Sequence, residues 1–171
     1  TKSYEVFKYS YPDISIHVNL TRLQYLIESN YSTIRNKLFQ LVGCCEMKKA
    51  TINYDTERQR VQVKGARIKK GFSLNEIDFF DCYIEADTTD CLFEQCKIRN
   101  SSLDKCTLHS NNDIKYSKIM DCKYTGHLNE IRSSYIDGNP KYLINAELTN
   151  CIVINGSFSR DSKVDDKTEL I

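Results

Sequence analysis

No stretch of this chain approaches the roughly 20 consecutive apolar residues that a membrane span needs. No signal peptide opens it either, so a protein that folds in water is expected. The signatures of several chemistries are missing. There is no Gly-rich phosphate loop, no Gly-x-Ser-x-Gly, no His-Glu-x-x-His and no Cys-x-x-Cys. Only three histidines occur, His17, His109 and His127, and none is near another in sequence. His17 falls on the polar phase of an alternating segment, where a solvated side chain is expected. Together these gaps leave no catalytic residue, no metal centre and no cofactor to assign, and the chain reads as non-enzymatic. The adjacent pair Cys44-Cys45 does not change this, because neighbouring cysteines make a poor tetrahedral pair. Helix-end packing accounts for them better.

What the sequence does have is a five-residue beat. It runs Cys91-Leu92-Phe93-Glu94-Gln95, Cys96-Lys97-Ile98-Arg99-Asn100, Ser101-Ser102-Leu103-Asp104-Lys105, Cys106-Thr107-Leu108-His109-Ser110. A small residue opens each unit and a large apolar residue follows two places later. The beat returns at Ala146-x-Leu148, Cys151-x-Val153 and Gly156-x-Phe158. Shorter copies are Ile77-x-Phe79/Cys82-x-Ile84, Ser117-x-Ile119/Cys122-x-Tyr124 and Asn129-x-Ile131/Ser134-x-Ile136. A chain that turns a corner every five residues wraps into coils. Stacking the coils satisfies their backbone groups and buries a continuous column of side chains. The small slot then explains the cysteines. Most of the eight act as small buried hydrophobes rather than as disulfide partners, which implies a reducing compartment. The expected core comprises Phe79, Cys82, Phe93, Cys96, Ile98, Leu103, Cys106, Leu108, Ile119, Cys122, Leu148 and Cys151.

This segment resembles the pentapeptide-repeat proteins, whose unit is a small residue, any residue, then Leu or Phe. The resemblance covers about half the chain and implies a right-handed parallel β-helix. It departs from the family pattern in its spacing, with inserts at 109–116 and 137–145. An irregular helix of about three to four coils is therefore expected. More diffusely, the layout resembles small proteins of large tailed bacteriophages.

The N-terminal third differs. Residues 4–18 read as two short strands around Pro12-Asp13. Helices follow, one after Asn19 and one from Ser32 to a stop at Gly43. Residues 50–54 and 60–63 then read as a hairpin. Charge changes at the same boundary. Residues 1–70 hold 13 Lys/Arg against 6 Asp/Glu, whereas residues 71–171 hold 11 against 17. The expected fold class is mixed α+β followed by all-β. Residues 1–70 form a small basic α+β unit that caps the coils, 71–158 the β-helix, and 159–171 a polar, charged and mobile tail.

The hairpin concentrates positive charge in Lys48, Lys49, Arg58, Arg60, Lys64, Arg67, Lys69 and Lys70, with Tyr54 nearby. Such a face meets an acidic surface, either protein or nucleic-acid backbone. Asp78, Asp81, Glu85, Asp87 and Asp90 are the carboxylates to weigh for glycoside cleavage, for which pairs on a β-helix are suited. Solvated corner residues are the simpler account. The expectation is a structural, assembly or interaction protein of a host cytoplasm or a virion, with a protein partner or self-assembly, no membrane and no small-molecule substrate. The alternatives are a nucleic-acid-binding accessory factor using residues 48–70, and a DNA mimic that inhibits a DNA-handling enzyme.

Overall fold

In the computed structural model, residues 17–18, 37, 41, 45–46, 50–55, 58, 60–68, 73–85 and 92–171 are described. Their strands, in chain order, are β1 (His17–Val18), β2 (Cys45–Glu46), β3 (Thr51–Asp55), β4 (Arg60–Lys64), β5 (Arg67–Ile68), β6 (Ser73–Asn75) and β7 (Ile77–Phe80). Next come β8 (Tyr83–Glu85), β9 (Leu92–Glu94), β10 (Lys97–Arg99), β11 (Ser102–Asp104), β12 (Thr107–His109), β13 (Asp113–Lys115) and β14 (Lys118–Met120). The last are β15 (Lys123–Thr125), β16 (Asn129–Arg132), β17 (Tyr135–Asp137), β18 (Ala146–Thr149), β19 (Ile152–Ile154), β20 (Lys163–Val164) and β21 (Glu169–Leu170).

They form a parallel β-solenoid of about six turns with three faces. Face A holds β4, β7, β10, β13, β16, β18 and β20 in order; face B holds β5, β8, β11, β14, β17, β19 and β21; face C holds β6, β9, β12 and β15. The first four turns visit A, then B, then C; after β15 the third side carries only the Ile144–Phe158 bridge. Three sides of about five residues close a turn, so equivalent positions recur every 14 to 19 residues. The shortest such step is Ile144 to Phe158, and the longest, Phe79 to Ile98, is matched by Ile84 to Leu103 and Leu74 to Phe93. The coil number is thus about six rather than three to four. The turn is shorter than expected, and both flanks of the expected range join the stack.

The inward columns follow from strand pairing. On face A, Val63, Phe79, Ile98, Ile114, Ile131 and Leu148 lie in register. Face B stacks Ile68, Ile84, Leu103, Ile119, Ile136 and Val153. Face C stacks Leu74, Phe93, Leu108 and Tyr124. All are buried, and Phe79 meets Phe93 edge to face with centroids 5.5 Å apart. Every expected core residue, the five cysteines included, is buried.

The corners explain the small slot. Before it sits a residue in the left-handed region: Asp81 before Cys82, Gln95 before Cys96, Asn100 before Ser101, Lys105 before Cys106, Tyr116 before Ser117. The slot side chain then donates to the carbonyl two residues back. Ser101, Ser117 and Ser134 Oγ each reach that carbonyl at 2.8 Å, and Cys82, Cys96, Cys106 and Cys122 Sγ do so at 3.3 to 3.4 Å. The serines also accept from the coil before: Cys82, Ser101 and Ser117 N–H donate to Ser101, Ser117 and Ser134 Oγ at 3.0, 3.2 and 3.1 Å. A buried asparagine pair does the same at another corner. Asn112 accepts from Cys96 N–H at 3.0 Å and donates to Phe93 O and Asn129 Oδ1, both at 2.8 Å.

Three boundaries differ from the sequence expectation. The segment 109–116 is not an insert, since β13 carries Ile114 into the core; only the corner there is one residue longer, with Ser110 and Asn111 both left-handed. Residues 137–145 do leave the beat before Ile144 returns to the core and bridges Phe158. Residues 159–171 are not a free tail: β20 and β21 pair in parallel with β18 and β19. Ser162 and Thr168 fill slots and Asp165 follows β20, and the three accept the N–H groups of Ala146, Cys151 and Asn150 respectively.

At the other end, β3 and β4 form the expected antiparallel hairpin, and β1 pairs with β3. Although β4 and β5 precede residue 70, they already form the first turn, pairing in parallel with β7 and β8. The expected α+β cap is not supported by the described residues. Before the first turn these show mainly strand, with helix only at Lys37 and Leu41. The strand expected near 4–11 and the helix after Asn19 lie outside them.

Candidate functional site

Lys48, Lys49, Lys69 and Lys70 of the basic cluster, with Asp87 and Asp90, lie outside the described residues. The other four cations do not form one open face. Arg58 is 3.9 Å from Asp55, Arg60 is 2.6 Å from Asp78, Lys64 is 3.8 Å from Asp81, and Arg67 is 3.8 Å from Glu85. Three of these partners are the very carboxylates that the sequence offers for glycoside chemistry. The charge asymmetry between the two halves is thus partly folded onto itself, because β4 and β5 run beside β7 and β8.

These pairs are unequal. Lys64–Asp81 and Arg67–Glu85 are largely solvated, and such pairs contribute about 0–1 kcal/mol. Arg60–Asp78 is different. Asp78 is 1% exposed, Arg60 also donates to Gln95 O at 2.8 Å, and the second Asp78 oxygen has no hydrogen-bond partner among the described residues. Beside it, Arg58, Lys97 and Asp113 help line a cleft of about 240 Å³. Burial works against the Asp113 carboxylate, but the Arg99 guanidinium at 2.8 Å outweighs it and holds the pKa below the ordinary value. A carboxyl kept ionised in this way is poorly suited to general-acid work. Among the described residues no group of three His, Cys, Asp or Glu is placed to hold a metal ion.

A second opening lies along the edge where face A turns into face B. It is a groove of about 680 Å³ lined by Tyr83, Tyr116 and Tyr135 together with Asn100, Ser102 and Lys118. The ladder places Tyr83, Ser102, Lys118 and Tyr135 at one outward position of face B in successive turns. Tyr116 sits on the corner itself and is 65% exposed, and Tyr83 is 41% exposed. Arg67 lies over the Tyr83 ring at 5.3 Å and Lys118 over the Tyr135 ring at 5.7 Å. Sequence reasoning misses this edge. Tyr83 and Tyr135 each occupy the unspecified place between slot and core residue, as in Cys82-Tyr83-Ile84 and Ser134-Tyr135-Ile136. Only the length of a turn reveals that they share a column.

The described cysteines Cys82, Cys96, Cys106, Cys122 and Cys151 are buried thiols outside any disulfide. His109 Nδ1 lies 2.8 Å from Thr125 Oγ1 on face C, away from the edge. No helix of the described residues is long and apolar enough to cross a membrane. Fold and edge together define a parallel β-solenoid of the β-helix type with an aromatic corner groove. No family model, curated protein or solved structure matches the chain.

Proposed function

We propose that this protein is a non-enzymatic interaction or assembly component, with the solenoid as a rigid ladder that presents the A–B edge to a partner. The observation that carries this reading is the row of tyrosines on that edge. Tyr83 and Tyr116 are exposed and Tyr135 half-buried, and clustered accessible aromatics mark contact surfaces. Tyr, Ser and Asn in one open groove also match the composition of adaptable binding surfaces. The paired state of Asp78, Asp81 and Glu85 favours binding over carboxylate catalysis.

The hairpin as a nucleic-acid site is disfavoured by the ion pairs of Arg58, Arg60, Lys64 and Arg67. Mimicry of DNA is disfavoured by the cations that alternate with the acids of face A. Assembly within a phage particle, the reducing compartment and membership of the pentapeptide-repeat family rest on sequence resemblance and the thiol-filled slots. The test is chromatography of an extract from the cells of origin. The wild-type chain should elute in a larger complex, and a Tyr83→Ser/Tyr135→Ser variant should elute as an isolated chain. Elution of the wild type as an isolated chain would overturn the reading.

A further inference from the structure

We propose that the A–B edge binds single-stranded nucleic acid, an inference that rests on reading this edge as the binding surface. The first support is the charge that strand register collects there. Lys64, Phe80, Arg99, Lys115 and Arg132 occupy one outward position of face A in consecutive turns, immediately before the corner. Arg67 and Lys118 flank the corner on face B. The groove between is lined by one carboxylate, Asp81, and it is engaged by Lys64 and by Asn100, whose Nδ2 donates to it at 2.6 Å. Lys64, Arg67, Arg99 and Arg132 are paired with Asp81, Glu85, Asp113 and Glu130, so the cations left for phosphate are Lys115 and Lys118, which have no ion-pair partner within 4.0 Å among the described residues.

The second support is the aromatic row within those cations. Rungs of a sheet lie about 4.8 Å apart, so Tyr83 and Tyr135, three rungs apart, are separated by about 14 Å along the axis. Tyr116 lies between them. A groove that holds Lys118, is bordered by Lys115 and carries aromatic rings at intervals suits a strand whose phosphates meet these two cations and whose bases stack on the rings. Arg67 and Lys118 each cover one face of the Tyr83 and Tyr135 rings, whereas Tyr116, 65% exposed on the corner, is the ring most open to a base.

The third support is backbone conformation. The corner column reads Gly65, Asp81, Asn100, Tyr116, Ser133 and Asn150, all with positive φ. Five of these are small or polar residues. The left-handed region is the rule at these corners, and Gln95 and Lys105 adopt it as well, but Tyr116 is the one ring placed there in this column. An extended peptide adding as a strand is disfavoured, because the corner N–H groups are already used. Asp81, Asn100, Tyr116 and Ser133 donate to Arg99, Lys115, Arg132 and Thr149 carbonyls. Duplex DNA offers phosphates but no free base faces for the rings.

The experiment is fluorescence anisotropy of a labelled oligothymidylate titrated with the full chain at low salt. Saturable binding is expected, tighter than to a duplex of the same length. Tyr116→Asn places a residue that tolerates the left-handed region on the corner, so the fold is retained. It should weaken binding about fivefold or more, the loss of one base stack. Lys118→Ala should make the salt slope shallower by about 0.7, one phosphate's worth on a single strand. Absence of binding, equal affinity for duplex, or an unchanged Tyr116→Asn variant would overturn the proposal. If the oligonucleotide fails but the complex in extracts still depends on Tyr83 and Tyr135, the edge takes a protein and only this inference falls.

Discussion

The slot residue after each corner sets the terms of this fold. It must be small enough for a narrow interior and polar enough to satisfy a neighbouring backbone group. Serine, cysteine and asparagine meet both needs, which is why such residues interchange from slot to slot. Ser117→Ala removes the acceptor of the buried Ser101 N–H, and an unsatisfied buried group costs about 1–3 kcal/mol. Urea denaturation should show that loss, and Ser117→Cys should cost less, since a thiol fills the equivalent slots at 82 and 151. Equal losses for both variants would place the hydroxyl elsewhere. The buried thiols carry a pH consequence. Burial pushes Cys82 up to about 11 and Cys96 to about 12, from an ordinary 9.0. The native state therefore holds these protons more tightly than the unfolded one. Their contribution is fully present below pH 9 and is lost as pH rises through 11 to 12. Thermal melts should fall across that window and thiol reagents should label neither residue without unfolding; Cys82→Ala/Cys96→Ala should flatten the alkaline decline.

At the scale of elements, the joint between hairpin and solenoid combines the β4–β7 pairing with one buried ion pair. Arg60→Ala strands the Asp78 carboxylate, and breaking such a pair costs about 3–5 kcal/mol. Lys64→Ala and Arg67→Ala remove solvated pairs and should change stability by less than about 1 kcal/mol. Similar losses for all three, measured by urea denaturation, would contradict the burial of Asp78. The same joint shows where sequence reading runs out. The hairpin is legible because Ile52, Val61 and Val63 alternate with polar residues. That its second strand is also the first side of the solenoid is not, because the beat has not yet begun at Arg60. Asn112-x-Ile114 and the segment after Phe158 escape notice for a related reason. A polar slot residue looks solvated until the neighbouring coil supplies its N–H.

For the whole molecule, the five-residue beat announces sides and corners but not how many sides close a turn. Cys96-Lys97-Ile98 and Cys106-Thr107-Leu108 are readable as inward units from their own residues. The stacking of Ile98 on Ile114, and of Tyr83 in line with Tyr135, requires the length of the turn. Three sides give a continuous core in which Leu103→Asp would bury a carboxyl between Ile84 and Ile119. That should cost several kcal/mol and unfold a domain of ordinary stability, read as a collapse of the thermal transition. The register underlies both the core and the tyrosine edge, and nuclear Overhauser contacts between turns test it most directly. Contacts linking Leu103 to Ile119, Ile119 to Ile136, and Lys118 to Tyr135 are expected. Contacts that instead pair β10 with β11 as an antiparallel hairpin would contradict the three-sided solenoid and remove the edge with it.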